Sequence, residues 1–335
     1  MKFAIIGCGL MGRKRWQSLP SGSSAIWFCD ADAGTATSLF NVAKEGCWST
    51  SIETLLQDSE VNAVIVATPN SSLHAIAVRA MRAGKHVFVE KPGGINEAEI
   101  DDLILTSEQT GSHCKIGYTL VHHPAIRKAT QLVNENSIGT VMFVKGTYGH
   151  GGRVGYENEW RMNPALSGGG ELIDQGIHLI DLSIRIIGQR LDVAHAHLEQ
   201  HFWRCDSEDN AFLHLKSRQH QTAWLHASCT EWKNQFQLDI YGRSGRISIA
   251  GLGGSYGVEA LRFYPMKAEM GPPESITWEY PNADNLAFKR EMEDFVLGVD
   301  QRRDQFIDLK RAKDVLRIVR EATFYSRRNQ MAPDA

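Results

Sequence analysis

The sequence predicts an α/β chain. A parallel, doubly wound sheet comes first, followed by an α+β region built on a large, mostly antiparallel open sheet. Three observations carry this prediction. Short apolar runs alternate with helical patterns through the first third of the chain. The first of those runs meets glycines spaced G-x-G-x-x-G. Beyond residue 140, strand-like runs follow one another through tight turns instead of helices.

Residues 3–6 form the first apolar run. Residues 13–19 can be helical, and Pro20 ends them. Residues 25–29 predict the second strand and 35–44 the second helix. Residues 61–67 (VNAVIVA) are almost continuously apolar and rich in valine, as a strand buried on both faces reads. Residues 74–83 carry apolar side chains at helical spacing, with Gly84 as a stop. Residues 86–89 predict a strand and 96–110 a helix. This alternation implies right-handed crossovers. The pattern changes near Lys115. Residues 124–136 read as helix. Strands are then expected at 141–148, 195–202, 211–216, 223–228, 236–241 and 246–249, with a tight turn at 242–245. A helix at 171–187 interrupts them, and helices at 286–299 and 308–328 close the chain before a frayed tail at 331–335. The expected domains are 1–119 and 120–335, with the closing helices packing back on the first.

Composition excludes several classes. The 335 residues are 42% apolar and 22% charged, which suits an ordinary globular protein. A formal net charge of −3 leaves no electrostatic footprint for nucleic acid or an anionic membrane. The six cysteines are scattered, without a CxxC pair or zinc-finger spacing, and read as free thiols. The opening run MKFAIIGCG is too short for a signal-peptide core, and later apolar runs fall far below the roughly 18 residues of a membrane span. A cytoplasmic protein is expected.

Gly7, Gly9 and Gly12 form the glycine pattern, with Cys8, Leu10 and Met11 between them. It follows a strand and opens a helix, which is the context of a Rossmann dinucleotide-binding turn. Gly7 allows the tight turn, Gly9 admits the pyrophosphate, and Gly12 allows close packing of helix on strand. Asp30 ends the second strand, where a carboxylate can accept hydrogen bonds from the adenosine ribose and repel a 2′-phosphate. No arginine or lysine follows it in CDADAG. This favours NAD over NADP. Asp32 competes with it as a helix cap.

Two further clusters carry chemistry. Glu90-Lys91-Pro92-Gly93-Gly94 follows a buried parallel strand at the end where open α/β sheets bind ligands. Lys91 there can polarise a substrate oxygen or take part in proton transfer; the alternative is a solvated surface pair with Glu90. Asp174 and His178 are four residues apart after three glycines, with Asp181 on the same stripe. Three readings stand: an acid–base pair, a structural helix face, or a metal site from Asp174, His178 and Asp181. No other ligand spacing supports the last, and no metal is expected.

Together these residues resemble the Gfo/Idh/MocA family, the glucose–fructose oxidoreductase and inositol dehydrogenase-like enzymes. The likeness rests on AIIGCGLMGR, on ATPNSSLHAIAVRAMRAGKHVFVEKP, on IGYTLVHHPAIRKA, on WRMNP-ALSGGGELIDQGIHLIDL and on the YGRSGRISI hairpin. It implies that Gly7, Gly9, Leu10, Met11, Gly12 and Asp30 bind NAD. Thr68, Pro69, Asn70, His74, Glu90 and Lys91 complete the cofactor site, with the Lys91–Pro92 bond a candidate for cis. Lys91, Asp174 and His178 are the implied catalytic residues, the base being either His178 or Lys91. Tyr118, Arg153, Trp160 and Arg161 are the substrate candidates, and Arg153 can meet a phosphate or carboxylate. Gly93 and Gly94 replace the bulkier residues usual after EKP, which is expected to widen the pocket. The implied activity is hydride exchange between a secondary hydroxyl carbon of a sugar, sugar nucleotide or cyclic polyol and nicotinamide. An NAD-dependent glycosidase or lyase and a non-catalytic dinucleotide sensor are the other readings. A homodimer or homotetramer through the open sheet is expected.

Overall fold

The computed structural model describes residues 1–272, 274–281 and 283–330; the tail expected to fray, 331–335, lies outside them. The chain divides into two compact units. One comprises residues 1–119 with 288–314, the other residues 120–287 with the described residues from 315 onward.

In the first unit, β1 (Lys2–Ile6), β2 (Ser24–Cys29), β3 (Cys47–Ser49), β4 (Ala63–Val66), β5 (His86–Glu90) and β6 (Cys114–Gly117) form one parallel sheet in the order β3-β2-β1-β4-β5-β6. That is the doubly wound Rossmann order, and the direction of winding reverses between β1 and β4. The intervening helices are α1 (Leu10–Gln17), α2 (Ala33–Ala43), α3 (Ile52–Gln57), α4 (Asn70–Arg82) and α5 (Glu97–Thr110). Phe3, Ile5, Phe28, Ile65 and Phe88 are buried together with Met292 and Phe295. The valine-rich run becomes the fully buried β4, as expected of a central parallel strand. The sequence pattern does not announce β3 or α3, which are three and six residues long and bury little. α4 starts four residues before its apolar periodicity does, because Pro69 sets the entry and cannot continue a helix backwards.

The second unit begins with α6 (Pro124–Asn134), β7 (Val141–Gly149) and α7 (Pro164–Ser167). Then come a π-helical turn, Leu172–Gly176, and α8 (Ile177–Ile187). β8 (Leu191–Glu199), β9 (Asn210–Ser217), β10 (Thr222–Ser228), β11 (Gln235–Gly242), β12 (Gly245–Ala250), β13 (Glu259–Pro265) and β14 (Ile276–Tyr280) complete an eight-stranded sheet. Its order is β14-β13-β12-β11-β7-β10-β9-β8, and all pairings are antiparallel except β7 with β10. The closing helices are α9 (Ala283–Asp300) and α10 (Phe306–Gln330). α8 packs on β7 and β10.

Three expectations need correction here. The helix expected at 171–187 opens with a π turn rather than α geometry. The strand expected at 195–202 ends at Glu199, because the Asp209 carboxylate accepts hydrogen bonds from the backbone N–H groups of His201, Phe202 and Trp203 and bends the chain into a loop. Strands β13 and β14 were not expected; Arg262 and the exposed residues of β14 interrupt the alternation that marks a half-buried strand. Among the described residues, no helix is long and apolar enough to cross a membrane.

Candidate functional site

The glycine turn joins β1 to α1, with Gly9 as the N-cap. Gly7 has φ +90°, and a Cβ there would lie 2.4 Å from the carbonyl oxygen of Ala67. A Cβ on Gly12 would sit 1.9 Å from the Gly7 oxygen, so only glycine lets α1 approach the strand. At Gly9 a Cβ would meet nothing within 4 Å. Gly7 and Gly12 are therefore closed in by backbone while Gly9 faces open space, as a pyrophosphate cradle requires. Leu10 is exposed and Met11 half-buried at the start of α1. Asp30 accepts from the N–H of Cys8 at 2.8 Å and from that of Asp32 at 3.1 Å. Its carboxylate thus fixes the turn as well as standing at the end of β2. Asp32 is the cap of α2, accepting from Thr35 N–H. These residues fit an NAD-type dinucleotide. Thr68 accepts from the Ser72 hydroxyl at 2.8 Å, Pro69 is the N-cap of α4, and Asn70 is buried in its first turn. His74 lies further along α4, with Nε2 2.8 Å from an Asp102 oxygen on α5.

Glu90 ends β5, and the Lys91–Pro92 bond is cis. The Glu90 side chain is buried against Arg15, which sequence reasoning missed. Arg15 is 0% exposed. Its Nε donates to Glu90, one terminal nitrogen donates to Glu291 at 2.7 Å, and the other donates to Thr119 at 3.0 Å. The guanidinium also lies over Phe88, 4.4 Å from its centroid. Burial alone would lower its pKa, but the charges of Glu90 and Glu291 prevail and raise it. Glu90 therefore anchors the strand end that carries Lys91. The signal was available as the arginine three residues past Gly12; its partner Glu291 is 276 residues away and was not. A Cβ added at Gly93 would meet Ile116 and Ile100, and one at Gly94 would meet Glu99, so neighbouring side chains fill that side of both glycines. Tyr118 follows β6 and is buried in the first unit.

Asp174 lies in the π turn and His178 in the first turn of α8, both 8% exposed. π turns recur at functional sites because they re-aim side chains within a helix. The glycine run before it lets a second backbone come close: a Cβ on Gly170 would sit 2.2 Å from the Glu208 carbonyl oxygen. Glu208 also accepts from the N–H groups of Gly170 and Leu172, both at 3.2 Å, and so caps the turn. Burial raises the pKa of Glu208 despite those bonds. The His178 ring stands edge-on to Tyr148, 5.7 Å between centroids. Arg161 Nε lies 3.6 Å from Asp174, which unites one substrate candidate with one catalytic candidate. Trp160 stacks on the Arg161 guanidinium at 4.7 Å. Glu159, unremarked in the sequence, holds both Arg153 and Arg161. The region is electronegative: burial, followed by Tyr256, Asp174 and Glu171, pushes the Tyr148 phenol well up, and burial with the same two carboxylates pushes Tyr256 up to about 12.

His150, Glu171 and Asp174 bring ligand atoms within 4.8 Å of one another. The His150 Nδ1 accepts the Gly152 N–H at 3.0 Å, which leaves the ring proton on Nε2, 3.8 Å from Glu171. A metal would need that nitrogen bare with Nδ1 as donor. The geometry suits a histidine–carboxylate pair. Asp181, placed with Asp174 and His178 in the metal reading, instead receives Arg185 Nε on both oxygens, at 3.0 and 2.8 Å.

Two family models match the chain. Residues 1–118 match the oxidoreductase family with NAD-binding Rossmann fold, and residues 126–248 match the GFO/IDH/MocA C-terminal domain. Oxidoreductase P35 of Formosa agariphila is 33% identical over 146 residues, covering 42% of this chain and 46% of that protein. Inositol 2-dehydrogenase 2 of Saccharopolyspora erythraea is 27% identical over 224 residues, 65% of this chain and 63% of that one. The chain thus spans about half to two thirds of the length of these two relatives. Levoglucosan dehydrogenase, solved with NADH and levoglucosan, has the same fold, with TM-score 0.87 at 17% identity over 98% of this chain and 97% of that one.

Proposed function

The chain belongs to the Gfo/Idh/MocA family of oxidoreductases, and on that footing we propose that it is an NAD-dependent dehydrogenase of a sugar, sugar derivative or cyclic polyol. The observation that carries the reading is the glycine turn, open only at Gly9 and braced by Asp30. Relatives named for inositol and levoglucosan support the substrate class. NAD over NADP rests on the Asp30 carboxylate, which would face a 2′-phosphate with like charge.

The α1 N–H groups would hold the pyrophosphate and Asp30 the ribose. Bound there, NAD would supply the hydride acceptor. His178 takes the proton of the substrate hydroxyl as general base, and Asp174, itself steadied by Arg161, stabilises the imidazolium. Lys91, on the strand end that Arg15 and Glu90 fix, polarises the substrate oxygen or serves as the base in place of His178. Trp160, Arg161 and Tyr118 are proposed substrate contacts. The setting proposed is the cytoplasm, and the assembly a homodimer or homotetramer through the sheet face that shows Trp224 and Phe212, 53% and 40% exposed.

The test is NADH formation with a panel of sugars, sugar nucleotides and cyclic polyols. His178→Ala and Lys91→Ala should each lose more than about 100-fold in turnover. Near-normal turnover in both would overturn the roles. Product formed without NADH accumulating in bulk would favour transient internal oxidation, the glycosidase or lyase reading.

A further inference from the structure

Glu208 stands half-buried where the loop after β8 enters β9, and the hydride chemistry gives it no task. Its bonds converge on the turn that carries Asp174. The carboxylate oxygen Oε1 accepts from the N–H groups of Gly170 and Leu172, both at 3.2 Å. The main-chain oxygen accepts from the N–H of Glu171, between them, at 3.0 Å. One residue therefore holds three consecutive amides. The next link reaches the acid–base pair itself, because the N–H of Asp174 donates to the Gly170 carbonyl at 3.1 Å.

Both sides of this clamp rest on fixed parts. Asp209, the following residue, accepts from three N–H groups of the loop, and its own N–H donates to the Glu199 carbonyl at 3.1 Å. Ser207, the preceding residue, is buried and donates to the Met162 carbonyl at 3.2 Å. On the other side, Gly170 leaves no room for slippage. Besides the Glu208 carbonyl oxygen, a Cβ there would meet the Glu208 carboxyl carbon at 2.8 Å. Leu172 and Ile173 are each 1% exposed and pin the turn to the core. Asp174 is the third residue of the π turn, so the clamp acts within one turn of it. π geometry is rare and sits outside the register of the helix that follows, so it needs such outside support.

We propose that Glu208 is a positioning residue for the reaction, which clamps residues 170–172 and so aims the Asp174 carboxylate at His178. It acts through the turn and not on the reacting atoms. The inference rests on the acid–base reading above, in which Asp174 stabilises the His178 imidazolium. A displacement of about 1 Å from productive geometry can cost about 100-fold in rate, so loss of the clamp should lower kcat by about tenfold to about 100-fold.

The experiment compares Glu208→Ala, Glu208→Asp and Glu208→Gln in the full chain, with the best substrate of the sugar and polyol panel. It reads kcat and KM, the pH dependence of kcat/KM, and hydrogen exchange over residues 170–178 by peptide mass spectrometry. Alanine removes the acceptor. Aspartate keeps the charge but is one methylene too short to reach both amides, and it decides the matter where the alanine variant fails to fold. Each should exchange at least about tenfold faster over 170–178 and lose at least about tenfold in kcat, with affinity for NADH unchanged. The acid limb of kcat/KM should move to lower pH, since an Asp174 aimed away favours the charged imidazole less. A loss of folded protein alone would lower the whole profile without moving that limb. Glutamine keeps the acceptor and should restore most of the turnover and the wild-type limb. Normal kcat in the alanine and aspartate variants, a lowered kcat with an unmoved limb, or a glutamine variant as slow as alanine overturns the positioning role. Lost turnover in His178→Ala beside normal turnover in Glu208→Ala removes the positioning role alone. Near-normal turnover in His178→Ala beside slow, fast-exchanging Glu208 variants removes the acid–base reading and leaves the clamp standing.

Discussion

Replacing Arg15 with methionine should be among the most damaging single changes in the first unit. The guanidinium is fully buried and bonded to Glu90, Glu291 and Thr119. Methionine fills the aliphatic path but leaves two carboxylates, 6% and 0% exposed, without their cation. Breaking a buried ion pair from one side costs about 3–5 kcal/mol, because the remaining charge stays in the interior without its counter-charge. At 2–4 °C per kcal/mol this amounts to about 10 °C in Tm. Urea unfolding followed by circular dichroism would measure it. The triple variant Arg15→Met, Glu90→Gln, Glu291→Gln should recover at least half of the loss, since it removes the charges together. A loss below about 1 kcal/mol, or a triple variant no more stable than the single one, would refute this account of the triad.

Three further outcomes are expected. Burial, with Lys115 nearby, lowers the His113 pKa from 6.5 to about 4. The unfolded chain then takes up the proton first, so this contribution is complete above about pH 6.5 and is lost as the pH falls to about 4. The full loss is about 3 kcal/mol, and unfolding free energies of wild type and His113→Gln across that window would detect it by the flatter slope of the variant. Asp30→Ser should narrow the preference for NAD over NADP by at least about tenfold in kcat/KM, and an unchanged ratio would show that Asp30 does not face the ribose. Cys8 and Cys114 are buried thiols pushed up to about 12, whereas Cys47 is exposed; iodoacetamide should label Cys47 first, as peptide mass spectrometry would show.

Most of the first unit was legible because its signals are local. A glycine turn, a valine-rich central strand and a strand-end EKP each occupy fewer than a dozen residues. The edge strands were harder to read, since β14 buries almost nothing and so shows no alternation. The π turn was hidden for another reason. Asp174 and His178 keep the same spacing in α and π geometry, and the carboxylate of Glu208, 38 residues from Gly170, caps the turn.

The sequence by itself determined the two architectures, the dinucleotide turn and the identity of Lys91, Asp174 and His178 as candidates, because hydrophobic period and glycine spacing are properties of neighbours in the chain. Tertiary structure alone decided what holds those residues. It paired Arg15 with Glu90 and Glu291, filled the space at Gly93 and Gly94 and brought Glu208 onto the turn that carries Asp174. Buried charges and rings must find partners wherever the fold brings them, and sequence separation sets no limit on that distance.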